Sequence, residues 1–272
     1  MVLHDRSREL LRSNLRLAPS WNLRPRTFRD EPSSRTPGNN SAVVALAFAW
    51  LGGAAFVGSL GYLIYFYGTV LAVPGGDTTT APRSVAINVG LFALFALHHS
   101  VLARSGVKEL VARFTHPRAE RALYVWVASG LLMLMCLLWQ PLPGTVYALS
   151  GFPAFVLHGV QVVGALLTVR GAGVIDPLEL AGIRQASKPV PTGPLKIVGP
   201  FRFVRHPIYL GWMLMLFGAP RLTVSRLLFA VISSGYLILA IPWEERSLVA
   251  AHGDQYRAYQ RTVRWRVIPG VW

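Results

Sequence analysis

The residues able to do chemistry are concentrated in one stretch, Gly199-Pro200-Phe201-Arg202-Phe203-Val204-Arg205-His206-Pro207-Ile208-Tyr209-Leu210-Gly211. It sets two guanidinium groups, an imidazole and a phenol between apolar regions. Pro207 has its φ preset for a first helical turn and no N–H to lose, so it suits the start of a helix over Ile208 to Ala219. The pre-proline His206 and Gly199-Pro200 favour extended backbone, which predicts unpaired amides beside a helix N-terminus carrying partial positive charge. Anions bind such places. Taken singly, the same residues make a basic juxtamembrane turn, with Arg202 and Arg205 at lipid headgroups, His206 as a cap and Tyr209 as an interfacial anchor. A second polar group follows about forty positions later: Trp243-Glu244-Glu245-Arg246-Ser247-Leu248, then Gly253-Asp254-Gln255-Tyr256-Arg257-Ala258-Tyr259.

The elements that must position these groups are apolar. Hydrophobic residues make up 53% of the chain and charged ones 14%, against roughly 25% charged in soluble domains. This is the composition of a membrane protein. The net charge of +15 sits in blocks between apolar runs and not along one aromatic-studded face, which excludes nucleic acid as a partner. The single cysteine, Cys136, lies in an apolar run and can form no intramolecular disulfide. Residues 1–40 are rich in Arg and Pro and are expected to be a disordered, basic cytoplasmic tail. Because the first apolar run begins only near Ala42, that run is expected to be an uncleaved helix and not a signal peptide.

Apolar runs predict transmembrane helices over Ala42–Val73, Ala86–Leu102, Ala122–Trp139 and Phe152–Val169. Ile208–Ala219 is too short to span alone and is expected to form a hairpin with Val224–Ile241. The predicted fold is therefore all-α: a polytopic membrane helical bundle of four spanning helices, a C-terminal helical hairpin and a cytoplasmic tail. Lys and Arg crowd alternate loops, and Gln140 to Gly151 contains neither. The positive-inside rule then places both termini and both polar groups in the cytoplasm. No P-loop, no G-x-G-x-x-G after a strand and no C-x-x-C pair is present, which excludes soluble-type nucleotide folds.

The two polar groups in this order resemble the signature of the membrane methyltransferases that include isoprenylcysteine carboxyl methyltransferase, the phospholipid methyltransferases and the bacterial methanethiol S-methyltransferase group. Asp176-Pro177-Leu178-Glu179-Leu180-Ala181-Gly182-Ile183-Arg184-Gln185 and His98-His99-Ser100 are similar to the methanethiol S-methyltransferase, nurim and NnrU-like branch. The resemblance implies a membrane methyltransferase domain over residues 41–272, with signatures at 199–211 and 243–269, in a bacterial inner membrane. It implies S-adenosylmethionine as cofactor, held by Gly199, Pro200, Arg202, Arg205, His206, Pro207, Tyr209 and Gly211 on one wall and by Glu244 and Glu245 on the other. His206, Arg205 and Glu244 are the candidate catalytic residues. The implied acceptor is a small thiol such as methanethiol, giving dimethyl sulfide. An isoprenylcysteine-type carboxylate or a lipid is the alternative acceptor, and a non-catalytic membrane protein of the nurim or NnrU type is the alternative class. The tail Arg264-Trp265-Arg266-Val267-Ile268-Pro269 is closer to the carboxyl-methyltransferase-like pattern.

Methyl transfer from a sulfonium is an in-line displacement that needs alignment and exclusion of water. Arg205 and helix-start amides are suited to a carboxylate, His206 to the amino-acid portion, and a glutamate to a ribose hydroxyl or an amine. His99, Arg104 and Arg184 are candidate contacts to the acceptor, and Glu120-Arg121 can join the same cluster. The adjacent His98 and His99 point about 100° apart on a helix, so they do not form a shared metal site and no metal is implied. Tyr256 and Tyr259 share one face of a short C-terminal helix, as a cover over the cofactor or as interfacial anchors. Membrane lipids are the expected surroundings, and no obligatory protein partner is inferred.

Overall fold

A computed structural model describes residues 39–101, 119–187 and 195–272. The expected tail over 1–40 lies almost wholly outside them, as does Arg104. Five long helices form the bundle: α1 (Asn39–Gly68), α2 (Ala81–Val101), α3 (Glu120–Leu138), α4 (Gly151–Ile175) and, after two short helices α5 (Pro177–Leu180) and α6 (Ile183–Ser187) and the short α7 (Pro207–Phe217), α8 (Val224–His252). A last helix, α9 (Asp254–Thr262), precedes the C-terminal tail. The five long helices are each long and apolar enough to cross a membrane, so the chain is an all-α integral membrane protein. With 11 residues, α7 rises only about 16 Å, well short of a bilayer core.

Several helices depart from the apolar runs at their ends. Helix α1 stops at Gly68 and not Val73. There the Thr69 hydroxyl and amide both turn back to the Tyr65 carbonyl, and Pro74 disfavours helix at Val73. The larger departure is α8, which does not end at Ile241. It runs through Pro242 to His252, carrying Glu244 and Glu245 on helix and not in a loop. A proline in a membrane helix leaves one carbonyl without its donor, which neighbouring helices accommodate.

The loops after α1, α3 and α7 meet at one end of the bundle. There β1 (Thr145–Ala148) pairs antiparallel with β2 (Arg221–Thr223). The Thr223 hydroxyl donates to the Leu71 carbonyl and caps α8 by accepting from the Arg226 amide at 3.1 Å. Asn88 makes two 2.8 Å bonds to the backbone of Gln140. The core beneath this end is aromatic: the Phe66, Trp139 and Phe229 rings meet edge to face at 5.8–6.1 Å. Such pairs add about 0.5–1.5 kcal/mol each beyond area burial. By chain direction, the starts of α1, α3 and α7 and the ends of α2, α4 and α8 lie at the opposite end, with the Gly199–Gly211 stretch.

Candidate functional site

The site is seated by a close approach of α7 to α4. A Cβ on Gly211 would fall 2.5 Å from the Gly164 carbonyl oxygen and against the Thr168 hydroxyl, and a Cβ on Gly164 would fall 2.6 Å from the Gly211 carbonyl oxygen. Small residues let two membrane helices touch backbone to backbone. Gly211 thus has a packing reason to be glycine, and it stands in a helix contact.

Upstream, Gly199 takes a positive φ of 57°, which glycine adopts without steric cost. It opens a 3-10 turn over Gly199–Arg202. The next residues were expected to leave their amides unpaired, and the structure corrects this. The Arg205 and His206 amides donate to the Trp265 and Arg266 carbonyls at 3.0 and 2.8 Å, and the Tyr209 and Leu210 amides turn back to the His206 carbonyl. Buried amides must find partners, and the C-terminal tail supplies them. The tail is held in turn by Trp272, whose carbonyl accepts from the amides of Arg266, Val267 and Ile268.

Around this backbone the structure gathers Arg205, His206, Tyr209, Glu244 and Glu245. Arg205 and Glu245 are buried, at 8% and 5% exposure. The Arg205 Nε donates to Glu245 Oε1 at 2.6 Å, and its Nη1 donates to the carbonyls of Val263 and Arg264 at 2.7 and 2.9 Å. Glu245 Oε1 also lies 3.4 Å from His206 Nε2, while Oε2 accepts from Gln260 at 3.2 Å and lies 3.5 Å from Arg266 Nε. Both oxygens are committed to protein partners, as buried charge requires.

Glu244 differs. Adjacent positions on a helix point about 100° apart, and the Glu244 side chain is 43% accessible. It accepts from the Tyr209 hydroxyl at 2.6 Å, and its Oε2 lies 3.5 Å from His206 Nδ1. The His206 ring, stacked on Tyr209 at 5.2 Å, therefore stands between the two carboxylates. Arg202 is exposed and makes no ion pair among the described residues. Helix α9 closes this side: Tyr256 and Tyr259 are buried, and the Tyr259 hydroxyl donates to the Phe201 carbonyl at 2.7 Å. Burial pushes the Tyr259 hydroxyl up to about 12, against the opposing pull of Arg205.

Tyr209 also looks the other way, into a cavity of about 320 Å³ among α1, α2, α3, α7 and α8, with Leu180 of α5 also in its wall. Most of its wall is apolar, including Leu63, Phe92, Leu132, Met135 and Phe229. Polar groups gather near one part of the wall. The Tyr124 hydroxyl and His99 Nδ1 are 2.6 Å apart, the Arg121 guanidinium lies over the Tyr124 ring at 4.7 Å, and the Tyr236 and Ser100 hydroxyls are 3.0 Å apart. Of the expected acceptor contacts, His99 lines this cavity. Arg184 does not: it is half exposed and pairs with Asp176. Tyr124, Tyr236 and Gln260 were not singled out in the sequence, each being an ordinary aromatic or polar residue with no pattern of its own, whereas Arg266 stood only as part of the basic tail motif.

No family model matches the chain, and no solved structure matches it. Curated relatives do. Methanethiol S-methyltransferase 2 of Bradyrhizobium diazoefficiens is 34% identical over 80% of this chain and 87% of its own length. Methanethiol S-methyltransferase of Mycobacterium tuberculosis is 35% identical over 76% and 89%. Nurim of Xenopus laevis is 28% identical over 57% and 59%. Over that extent of alignment, with five membrane helices and the two polar groups folded into one cluster, the chain belongs to the methanethiol S-methyltransferase family.

Proposed function

We propose that this chain S-methylates methanethiol to dimethyl sulfide with S-adenosylmethionine, working from the cytoplasmic face of a bacterial inner membrane with both termini on that face. The domain that does so runs from residue 41 to 272. The observation that carries this reading is the double role of Tyr209, whose hydroxyl donates to the accessible Glu244 while its ring lines the apolar cavity. A polar site for a charged donor and an apolar site for a thiol thus stand back to back. The names of the relatives support the same chemistry.

The residues present fit the donor. It carries an ammonium, a sulfonium, a carboxylate and ribose hydroxyls, and bound here it supplies an electrophilic methyl carbon. Glu244 is the accessible acid for the cationic or hydroxyl groups. Arg202 is the exposed cation for the carboxylate, because Arg205 is spent on Glu245 and on two carbonyls. His206 and Tyr209 fix the direction of Glu244, and Arg205 with Glu245 positions the backbone that carries both. The thiol gives up its proton to water, since the thiolate is the nucleophile. Its sulfur then forms the new bond to the methyl carbon as the sulfonium bond breaks, the electron pair staying on the donor's sulfur.

Isothermal titration of S-adenosylmethionine into the detergent-purified protein tests the donor site. Wild type is expected to bind and Glu244→Gln to lose at least tenfold in affinity. No binding to folded wild-type protein would overturn the reading and leave a bundle without turnover.

A further inference from the structure

Methanethiol does not account for the size of the cavity beside Tyr209. At roughly 30 Å³ per small heavy-atom group, a space of about 320 Å³ holds around ten such groups. Methanethiol brings two. The wall is built to keep an apolar guest: Phe92, Leu132, Met135 and Phe229 are buried, and the hydroxyls of Ser59 and Ser233 bond to carbonyls of their own helices. The donor's charged groups are excluded, since burying charge among hydrocarbon without partners is prohibitive.

Polarity returns where a sulfur would need it. The Arg121 Nε is buried with no hydrogen-bond partner among the described residues, and both Arg121 and the Tyr124–His99 pair line the same cavity as Tyr209. A guanidinium with no carboxylate partner among the described residues, beside an apolar chamber, suits an anionic head on an apolar tail.

We propose that the enzyme also methylates apolar thiols several carbons longer than methanethiol, with the tail among Phe92, Leu132, Met135 and Phe229 and the thiolate near Arg121 and Tyr209. This rests on the methyltransferase reading above. The reaction is the same displacement: the thiol proton goes to water, the thiolate sulfur bonds the methyl carbon, and the donor leaves as its neutral thioether. Each methylene buried in the cavity is worth about fourfold in binding.

The test compares kcat/KM for 1-hexanethiol and methanethiol on detergent-purified protein with S-adenosylmethionine, by the demethylated donor released and with free thiol measured in the headspace. Hexanethiol is expected to be favoured at least tenfold. Ser129→Leu fills the cavity from α3 at a buried hydroxyl that has no partner among the described residues. It is expected to cut the hexanethiol-to-methanethiol ratio at least fivefold, with Ala128→Phe as a second filling variant should the first not fold. Methanethiol turned over with hexanethiol no better, or a ratio unmoved in a folded filling variant, would overturn the proposal. Failure to turn over either thiol would overturn the methyltransferase reading itself.

Discussion

The two glutamates are neighbours in sequence with different work. Glu245 is enclosed by Arg205, His206, Gln260 and Arg266, so Glu245→Gln leaves a buried guanidinium without its counter-charge. We expect it to destabilise the folded protein by about 3–5 kcal/mol, seen as a lower unfolding temperature in detergent. Glu244→Gln should leave that temperature nearly unchanged and remove donor binding. The sequence places both acids in one motif and cannot separate them, because the difference lies in which face of α8 each occupies, and α8 had been expected to end before them. Arg205 shows the same limit. Its type and position suggest an anion ligand, yet its donors are taken by a carboxylate and by carbonyls of a tail sixty residues on, a partnership no local pattern encodes. Arg202→Ala is therefore expected to weaken donor binding about tenfold without loss of stability, the reverse of Arg205→Ala.

Among the elements, α7 depends on contact with α4, because it is too short to span and begins at the site itself. Gly211→Val drives methyl groups into the Gly164 carbonyl and the Thr168 side chain; overpacking of this kind costs about 1–3 kcal/mol, and thermal unfolding should show it together with loss of activity. Helix α9 docks through Tyr259. Tyr259→Phe removes the bond to the Phe201 carbonyl, worth about 1 kcal/mol. The Tyr259 hydroxyl titrates near 12 in the folded protein against an ordinary 10.0, so its contribution is complete below pH 10 and declines as pH rises toward 12. Denaturation followed from pH 9 to 12 should show this slope, reduced in Tyr259→Phe. The helices were legible because apolar length alone specifies a span, and the start of α7 was legible from Pro207. The amide pairing of residues 205 and 206 was not, since the carbonyls that satisfy it belong to the tail.

For the whole molecule, membrane composition, the first four spans and the family were written in apolar runs and two polar motifs, while the fifth long helix, α8, had been expected only as half of a hairpin. The cavity was invisible: its wall is drawn from six helices, the short α5 contributing Leu180, and no single run marks it. Chain direction puts the β1–β2 end and the signature end on opposite faces. Cys136 is buried, so Asp77→Cys in the exposed loop after α1 gives a clean probe. We expect it to react with an impermeant maleimide added outside intact cells; labelling only after lysis would reverse the orientation. The most direct measurement is dimethyl sulfide in the headspace over purified protein given S-adenosylmethionine and methanethiol. We expect product equal to the demethylated donor formed, at least a hundredfold less with folded Glu244→Gln or His206→Ala; no product from folded wild type, or undiminished product from both variants, would contradict the site and chemistry described.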